Sequence, residues 1–258
     1  MINYKAVEKP LKAFKGALPF DHCVVDNFFD EEVAENLAAE FLDYESSKWF
    51  VYHNKLENKK ALKDWNAFPS LTYKAFSELQ DTTLTKLLSS SIGVGLFIDP
   101  GLHGGGWHIH GQGGNLNPHL DYSIHPKMDL QRKLNIIIYL SKELNSSLHG
   151  GHLGLWTQNS KEVIPGDLSA EIEPIFNRAV IFDTTQNSWH GMSKPLIQPS
   201  DIYRKSLAIY YLCEPRADAP ENLRAIYAAR VDQKNDPEIE SLIKLRSGIE
   251  TSIKVYRA

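Results

Sequence analysis

Hydrophobic residues in the first third of the chain recur at helical spacing. Val33, Leu37 and Phe41 lie at i, i+4 and i+8, so they share one face of a predicted helix. A second helical stretch begins at Pro69 and restarts at Asp81, again with leucines and aromatic residues at helical spacing. The pattern therefore predicts helices on both sides of a segment of a different kind.

That segment, residues 49–68, has no steady hydrophobic period. It mixes lysines and aromatic residues without helical or alternating order. Long structured segments between regular elements often carry function. We therefore predict a long loop or lid over 49–68, with a solvated basic loop as the plainer alternative.

The middle of the chain has the pattern of an all-β protein. From Ile92 to about Leu212, short β-type runs alternate with glycine and proline turns. The clearest runs are Leu134–Leu140, Ala179–Phe182 and Ile202–Leu212. Many short strands at close spacing favour a sandwich or barrel over a parallel α/β sheet.

The tail is predicted to return to helix, in one segment from Pro220 and another from Pro237. The fold class is therefore mainly β with flanking helices, in a single domain over 1–258. The predicted parts of this domain are a helical N-terminal part over about 1–91, a β core over about 92–215 and C-terminal helices over about 216–258.

Composition narrows the class of protein. The chain has 258 residues, of which 42% are hydrophobic and 23% charged, which is ordinary globular usage and excludes disorder, collagen and coiled coil. Its net charge of −4 argues against binding nucleic acid through phosphate contacts. Cys23 and Cys213 are far apart in apolar surroundings, so no disulfide framework is expected. No long apolar run or secretory leader is visible, so we expect a cytoplasmic protein without a membrane partner.

Two short segments hold candidate metal ligands: Asn117-Pro118-His119-Leu120-Asp121 and Ser188-Trp189-His190-Gly191. On a strand, residues i and i+2 point to the same face, so His119 and Asp121 are expected side by side. His190 on a distant strand would complete a set of two imidazoles and one carboxylate. This facial triad is the arrangement that non-haem Fe(II) oxygenases use. The alternative is that the three are ordinary surface loop residues.

A later strand carries a candidate anion site. Arg204 and Ser206 share one strand face, so a guanidinium and a hydroxyl can converge on a carboxylate. Tyr139, at the end of an apolar strand, could add a second hydroxyl. A surface ion pair for Arg204 and a wet strand-end hydroxyl for Tyr139 remain the alternatives. His108 and His110 could instead form a cupin-type metal pair, but no glutamate follows them at short spacing.

The order of these motifs resembles the Fe(II)/2-oxoglutarate-dependent dioxygenase superfamily, and specifically its prolyl-hydroxylase-like branch. The matching text runs from about residue 107 to 212 and comprises HxD, a YL strand end, GG-x-L-x-L-W, NRAVIFD, WHG and R-x-S. The resemblance implies a double-stranded β-helix core, the jelly roll also found in cupins. N- and C-terminal helices would wrap this core.

The resemblance also implies a role for each site residue. The metal ligands would be His119, Asp121 and His190. Family members often place a tyrosine near the cosubstrate, before the turn that precedes HxD, whereas this chain has Trp107, His108 and His110 there. The cofactor-binding residues would be Arg204, Ser206, Tyr139 and His110. No catalytic side chain is expected beyond the metal centre.

The implied function is that of a 2-oxoglutarate- and Fe(II)-dependent hydroxylase, similar to prolyl 4-hydroxylases. Such an enzyme couples decarboxylation of 2-oxoglutarate to succinate and CO2 with hydroxylation of a C–H bond. The expected cofactors are Fe(II), 2-oxoglutarate and O2, with ascorbate as a candidate reductant. The substrate would be a peptide or small molecule, with a prolyl residue or free proline as the first candidates. The alternative is a non-catalytic jelly-roll module that binds a carbohydrate or another small molecule.

Overall fold

The computed structural model describes residues 1–220, 222–248 and 255–256. Over these residues the helices are α1 (Tyr4–Leu11), α2 (Glu31–Ala39), α3 (Ser70–Leu79), α4 (Thr82–Ile92), α5 (Ser146–His149) and α6 (Pro237–Ser247). The strands are β1 (His22–Val25), β2 (Phe50–His53), β3 (Glu57–Leu62), β4 (Phe97–Ile98), β5 (Gly106–His110), β6 (Asn115–Leu116), β7 (His119–Leu120), β8 (Gln131–Tyr139), β9 (Leu153–Gln158), β10 (Pro165–Ile172), β11 (Ala179–Asp183), β12 (Trp189–Met192), β13 (Arg204–Cys213) and β14 (Ile226–Tyr227). None of the described helices is both long and apolar enough to traverse a bilayer.

Two antiparallel sheets form the core. The major sheet has the strand order β1-β11-β8-β13-β5-β3-β2, with β4 against β13 and β6 against β3. The minor sheet has the order β10-β9-β12-β7-β14. Strands that follow each other in sequence often lie in different sheets, as they do in a jelly roll. The predicted mainly β architecture with flanking helices is therefore present.

The central strands of the major sheet separate a helix-packed core from an internal cavity. Leu134, Ile136 and Ile138 of β8 pack in the same hydrophobic cluster as the leucines of α3 and α4. The alternate residues Asn135 and Ile137 line the cavity instead. Side chains alternate between the two faces of a strand. One face of β8 therefore packs in the hydrophobic core, and the other face lines the cavity.

Residues 49–68 are not the irregular loop that their sequence predicts. They form the hairpin of β2 and β3, followed by a short 3₁₀ turn, and β3 pairs with β5 in the major sheet. The predicted helical part over 1–91 also contributes β1, which pairs with β11. The prediction failed because the β3 sequence, ENKKAL, lacks a clear alternating pattern, and pairing with β5 determines its burial.

The predicted helix from Pro220 is also wrong. Ile226 and Tyr227 form β14, which pairs with β7 and extends the minor sheet. The second predicted helix is present as α6, and Asp236 caps its first turn by accepting from the backbone N–H groups of Glu238 and Ile239. The predicted C-terminal helical region runs to residue 258. Its residues 249–254 and 257–258 lie outside the described residues.

Substitution of Gly106, at the start of β5, tests how closely β3 packs against β5. Its φ is +94°, and a Cβ there would clash with the Leu62 carbonyl oxygen and lie 2.9 Å from Lys63 Cα. Gly16 has a similar φ of +82° but no atom within 4 Å of such a Cβ. We expect Gly106→Ala to lower the free energy of unfolding by about 1–3 kcal/mol more than Gly16→Ala, measured by urea denaturation. Equal losses would show that β3 and β5 are not closely packed.

Candidate metal centre and cosubstrate pocket

The three predicted metal ligands come together between the sheets. His119 of β7 pairs directly with His190 of β12, and their ring centroids are 4.3 Å apart. Asp121 follows β7. Its Oδ1 lies 4.0 Å from His119 Nε2, and its Oδ2 lies 3.8 Å from His190 Nε2. One ligand atom from each residue lies within 4.8 Å of the others, so the cluster could hold a metal ion.

Hydrogen bonds orient both imidazoles toward this point. Nδ1 of His119 donates to the Asn117 carbonyl at 3.0 Å, and Nδ1 of His190 donates to the Ser188 carbonyl at 2.8 Å. Nε2 of each ring is then left unprotonated and faces Asp121. Burial, with the neighbouring His190, lowers the pKa of His119 to about 3, and burial also lowers the pKa of His190. Both rings are therefore neutral near pH 7, which is the form that binds metals.

Asp121 is held as a carboxylate by two partners that the sequence did not reveal. Burial alone would raise its pKa, but the Arg132 charge and the Tyr210 hydrogen bond help to keep that pKa below its ordinary value. Arg132 Nη1 lies 3.3 Å from Asp121 Oδ1, and the Tyr210 hydroxyl donates to the same oxygen at 3.2 Å. The other oxygen, Oδ2, is buried without a hydrogen-bond partner. That orphaned acceptor fits a metal ligand.

Arg132 is therefore expected to support metal binding without contacting the metal. Its guanidinium lies between the rings of Tyr122 and Tyr210, 3.5 Å from each centroid. We expect Arg132→Leu to weaken Fe(II) affinity by about 10–100-fold, the usual cost of losing a residue that orients a ligand. Arg132→Lys should retain part of the affinity because it keeps the charge. Unchanged Fe(II) affinity in a folded Arg132→Leu protein would contradict this role; metal titration and a melting curve together decide it.

The predicted anion site lies in the same cavity. Arg204 is buried at the start of β13, where its Nε donates to the Gly151 carbonyl at 2.8 Å. Its guanidinium lies 4.7 Å from the centroid of the Tyr139 ring, and Ser206 is directly opposite Tyr139 in the sheet. The Tyr139 hydroxyl is buried beside this guanidinium, and no acceptor or donor among the described residues makes a well-formed hydrogen bond to it. No described carboxylate forms an ion pair with Arg204, so these donors fit an anionic ligand.

His110 and His108 line the cavity beside this anion site. His110 is opposite Arg204 in the sheet and His108 is opposite Ser206. Both ring nitrogens of His110 are buried without a partner, and burial together with the Arg204 and Lys59 charges lowers its pKa. The metal-binding cluster among the described residues does not include either histidine, so nothing supports the cupin-type pair. A neutral His110 fits its predicted place beside the cosubstrate.

The cavity extends from the metal centre to the hairpin and has a volume of about 830 Å³. Phe50 and Tyr52 of β2 and Lys59 of β3 line one wall. The segment for which the sequence predicted a loop or lid therefore forms one side of the site.

The C-terminal segment forms a further part of the wall. The Tyr227 ring stacks on His119, with centroids 5.2 Å apart and an interplanar angle of 20°. Its hydroxyl donates to Glu57 Oε2 at 2.9 Å, and Arg246 pairs with the same carboxylate at 2.6 Å. These contacts join β3, β14 and α6 behind the metal ligand. No sequence pattern indicates these contacts, because the three residues are far apart in the chain.

The fold and the site together define a jelly-roll protein with a two-histidine, one-carboxylate cluster that could hold a metal ion. Residues 105–212 match the model of the 2OG-Fe(II) oxygenase superfamily. The predicted resemblance to this superfamily, and to its prolyl-hydroxylase-like branch, is confirmed. Its cofactors Fe(II) and 2-oxoglutarate, which the sequence also predicted, fit the orphaned Asp121 oxygen and the buried donors around Arg204.

Curated relatives match a limited part of the chain. Prolyl hydroxylase EGLN3 of Mus musculus is 31% identical over 94 residues, and the same protein of Homo sapiens is 30% identical over 94 residues. Each alignment covers 36% of this chain and 35% of the relative, so the chain spans about a third of the length of these relatives.

Solved structures show the same fold over most of the chain. A prolyl-4-hydroxylase of Pseudomonas putida superposes with a TM-score of 0.56 at 15% identity, covering 80% of this chain and 98% of the other. A prolyl hydroxylase of Trichoplax adhaerens, in complex with a hypoxia inducible factor oxygen degradation domain peptide, superposes with a TM-score of 0.53 at 19% identity. That match covers 81% of this chain and 88% of the other. The predicted jelly-roll fold is confirmed.

Proposed function

We propose that this protein is an Fe(II)- and 2-oxoglutarate-dependent hydroxylase. It would couple decarboxylation of 2-oxoglutarate to succinate and CO2 with hydroxylation of a substrate C–H bond. The observation that carries the proposal is that two sites share one cavity: the cluster of His119, Asp121 and His190, and the buried Arg204, which has no ion-pair partner among the described residues. We also propose that residues 1–258 act as one domain, because β1 to β3 lie in the major sheet and β14 lies in the minor sheet.

In this mechanism the protein holds and orients the reactants. His119, Asp121 and His190 would bind Fe(II), which when bound supplies the activation of O2 for C–H oxidation. Neutral imidazoles and an ionised carboxylate are the required protonation states, and the burial and hydrogen bonds described above maintain them. No side chain beyond the metal centre needs to act as an acid, base or nucleophile.

Arg204 would fix the far end of 2-oxoglutarate. Its guanidinium offers a fork of donors to the far carboxylate, and the hydroxyls of Ser206 and Tyr139 lie on the same wall. His110, opposite Arg204 in the sheet, would contact the body of the cosubstrate. A cosubstrate anchored in this way presents its other end to the metal ligands across the same cavity.

The substrate would be proline in a peptide or as the free imino acid. The similarity to prolyl hydroxylases, one of which was solved with a peptide bound, supports this class. A non-catalytic jelly-roll module remains the second candidate. Such a module would have no need for an orphaned metal-facing carboxylate oxygen together with an unpaired buried arginine, and this favours the enzyme.

One experiment separates the two. The anaerobic protein is loaded with Fe(II) and 2-oxoglutarate, then exposed to O2 with prolyl peptides, free amino acids or sugar derivatives, with and without ascorbate. We expect succinate, together with a product that carries one added oxygen atom. Ligand binding without any succinate would support the binding module instead.

A further inference from the structure

Lys59 points into the cavity from the middle of β3. Glu57, Lys59 and Ala61 alternate along this strand, and all three line the cavity. Lys60, the next residue, faces away: its Nζ donates to the Tyr44 carbonyl at 2.6 Å and pairs with Glu45 at 3.3 Å. The two adjacent lysines therefore have opposite surroundings, as strand alternation requires.

The other deep basic groups of the cavity already have a partner or an assigned ligand. Arg246 pairs with Glu57, and Arg132 pairs with Asp121. Arg224, which is half-buried as Lys59 is, donates to the Tyr256 hydroxyl at 2.8 Å. Arg204 is assigned to the far carboxylate of 2-oxoglutarate.

Lys59 has no such partner. Among the described residues, no carboxylate lies within ion-pair distance of its Nζ. The Nζ lies over the Tyr52 ring, 5.0 Å from the ring centroid. Burial lowers its pKa even though Glu57 is nearby, which is the behaviour of an ammonium group in need of a counter-ion. Lys48 and Lys63 also line the cavity but are exposed at its rim.

Resting on the proposed function, we propose that Lys59 binds a free carboxylate of the hydroxylated substrate. The substrate class is then a small carboxylic acid, such as free proline, and not an internal prolyl residue. An internal prolyl residue is flanked by uncharged amides and offers nothing to neutralise Lys59. A free imino acid carries its carboxylate on the ring itself, so the group that binds Lys59 stays close to the carbon to be oxidised.

The size and lining of the cavity agree with this class. Its volume of about 830 Å³ lies within the range of small-molecule sites, roughly 300–1,000 Å³. Phe50 and Tyr52 stand beside Lys59 and offer apolar surface for a ring. A second anion beside 2-oxoglutarate needs its own cation in a partly buried site, and the half-buried Lys59 supplies one.

The test follows the Lys59 ammonium directly. Lysines of the full chain are ¹³C-dimethylated, which keeps their charge, and the protein is loaded with Zn(II) and 2-oxoglutarate for NMR. The Lys59 signal is assigned by its loss in Lys59→Met, and Lys60→Met serves as the matched control. The probes are L-proline, its uncharged-end analogue L-prolinamide, acetate and inorganic phosphate.

We expect L-proline and acetate to shift the Lys59 signal, with L-prolinamide at least about tenfold weaker, a difference of one ion pair. Lys60→Met should bind L-proline as the parent does. Tighter binding of phosphate than of any carboxylate would replace the carboxylate with a phosphorylated substrate and overturn the proposal. A signal that moves with 2-oxoglutarate alone, or with no probe, would also overturn it.

Succinate formation by the Fe(II)-loaded protein separates this inference from the proposed function. Succinate without any Lys59 response to the probes means that only the substrate class is wrong. A Lys59 response without succinate means that the anion site exists but the proposed hydroxylase activity fails.

Discussion

His119→Ala and His190→Ala are each expected to reduce Fe(II)-dependent conversion of 2-oxoglutarate to succinate to the level of the iron-free protein. Two remaining protein ligands do not hold labile Fe(II) well against water. His119 and His190 pair directly across β7 and β12, so removing either ring opens the metal centre without removing a strand. Succinate is measured by mass spectrometry and metal affinity by Fe(II) titration. The control is His53→Ala, because His53 is exposed.

Asp121→Ala should also abolish most activity, for a different reason. The substitution removes one metal ligand and leaves Arg132, its partner at 3.3 Å, buried without a counter-charge. Water or chloride can fill a missing carboxylate position more readily than a missing imidazole, so residual activity is expected to be highest in this variant. Full activity in any of the three variants would contradict the triad.

Arg204→Ala is expected to weaken 2-oxoglutarate binding by about 2–5 kcal/mol, the loss typical of one side of a buried charge pair. Fe(II) binding should be nearly unchanged, because Arg204 bonds to Gly151 and stacks near Tyr139 and does not contact the triad residues. Arg204→Lys should recover part of the affinity, since a point charge cannot reproduce the guanidinium fork.

The charge-transfer band of the anaerobic Fe(II)–2-oxoglutarate complex reports this affinity at fixed metal. Lys205→Ala is the matched control, because Lys205 lies on the other face of β13 and its Nζ donates to the Ala38 carbonyl. Unchanged 2-oxoglutarate affinity in Arg204→Ala would place the anchor elsewhere. Lys133, the next basic candidate by strand position in the sequence, is a poor substitute, because it is paired with Asp183 and does not line the cavity. Loss of Fe(II) binding as well would make Arg204 a structural residue.

The parts of the site that the sequence predicted are those fixed by local strand geometry. His119 and Asp121 are two residues apart, as are Arg204 and Ser206, and alternation alone places each pair on one face. The strand runs around Ile136 and Ile209 are apolar enough to predict their burial. That these distant segments meet in one site followed from the order of the motifs, which resembles a known family.

The parts that were missed depend on pairing between distant segments. Nothing near Arg132 indicates that it lies beside Asp121, and nothing near Tyr227 indicates that it stacks on His119. The sequence from Pro220 predicts a helix because proline is common at the first turn of a helix and the short apolar run after it fits both helical and strand spacing. In the structure, part of this segment pairs with β7 and is therefore a strand, β14.

Lys59 shows the same limit at the hairpin. Its segment has no regular pattern, so its sequence predicted a loop, whereas pairing of β3 with β5 makes Lys59 part of the cavity wall. The hairpin side of the cavity is therefore the side that the sequence predicted least well.

The most direct measurement of the proposed activity is the yield of succinate per 2-oxoglutarate consumed by the full chain, with Fe(II) and O2 and then with the iron chelated. We expect close to one succinate for each 2-oxoglutarate, and none after chelation or in His190→Ala. Recovery of unchanged 2-oxoglutarate from the Fe(II)-loaded parent protein, with the charge-transfer band showing that both are bound, would contradict it.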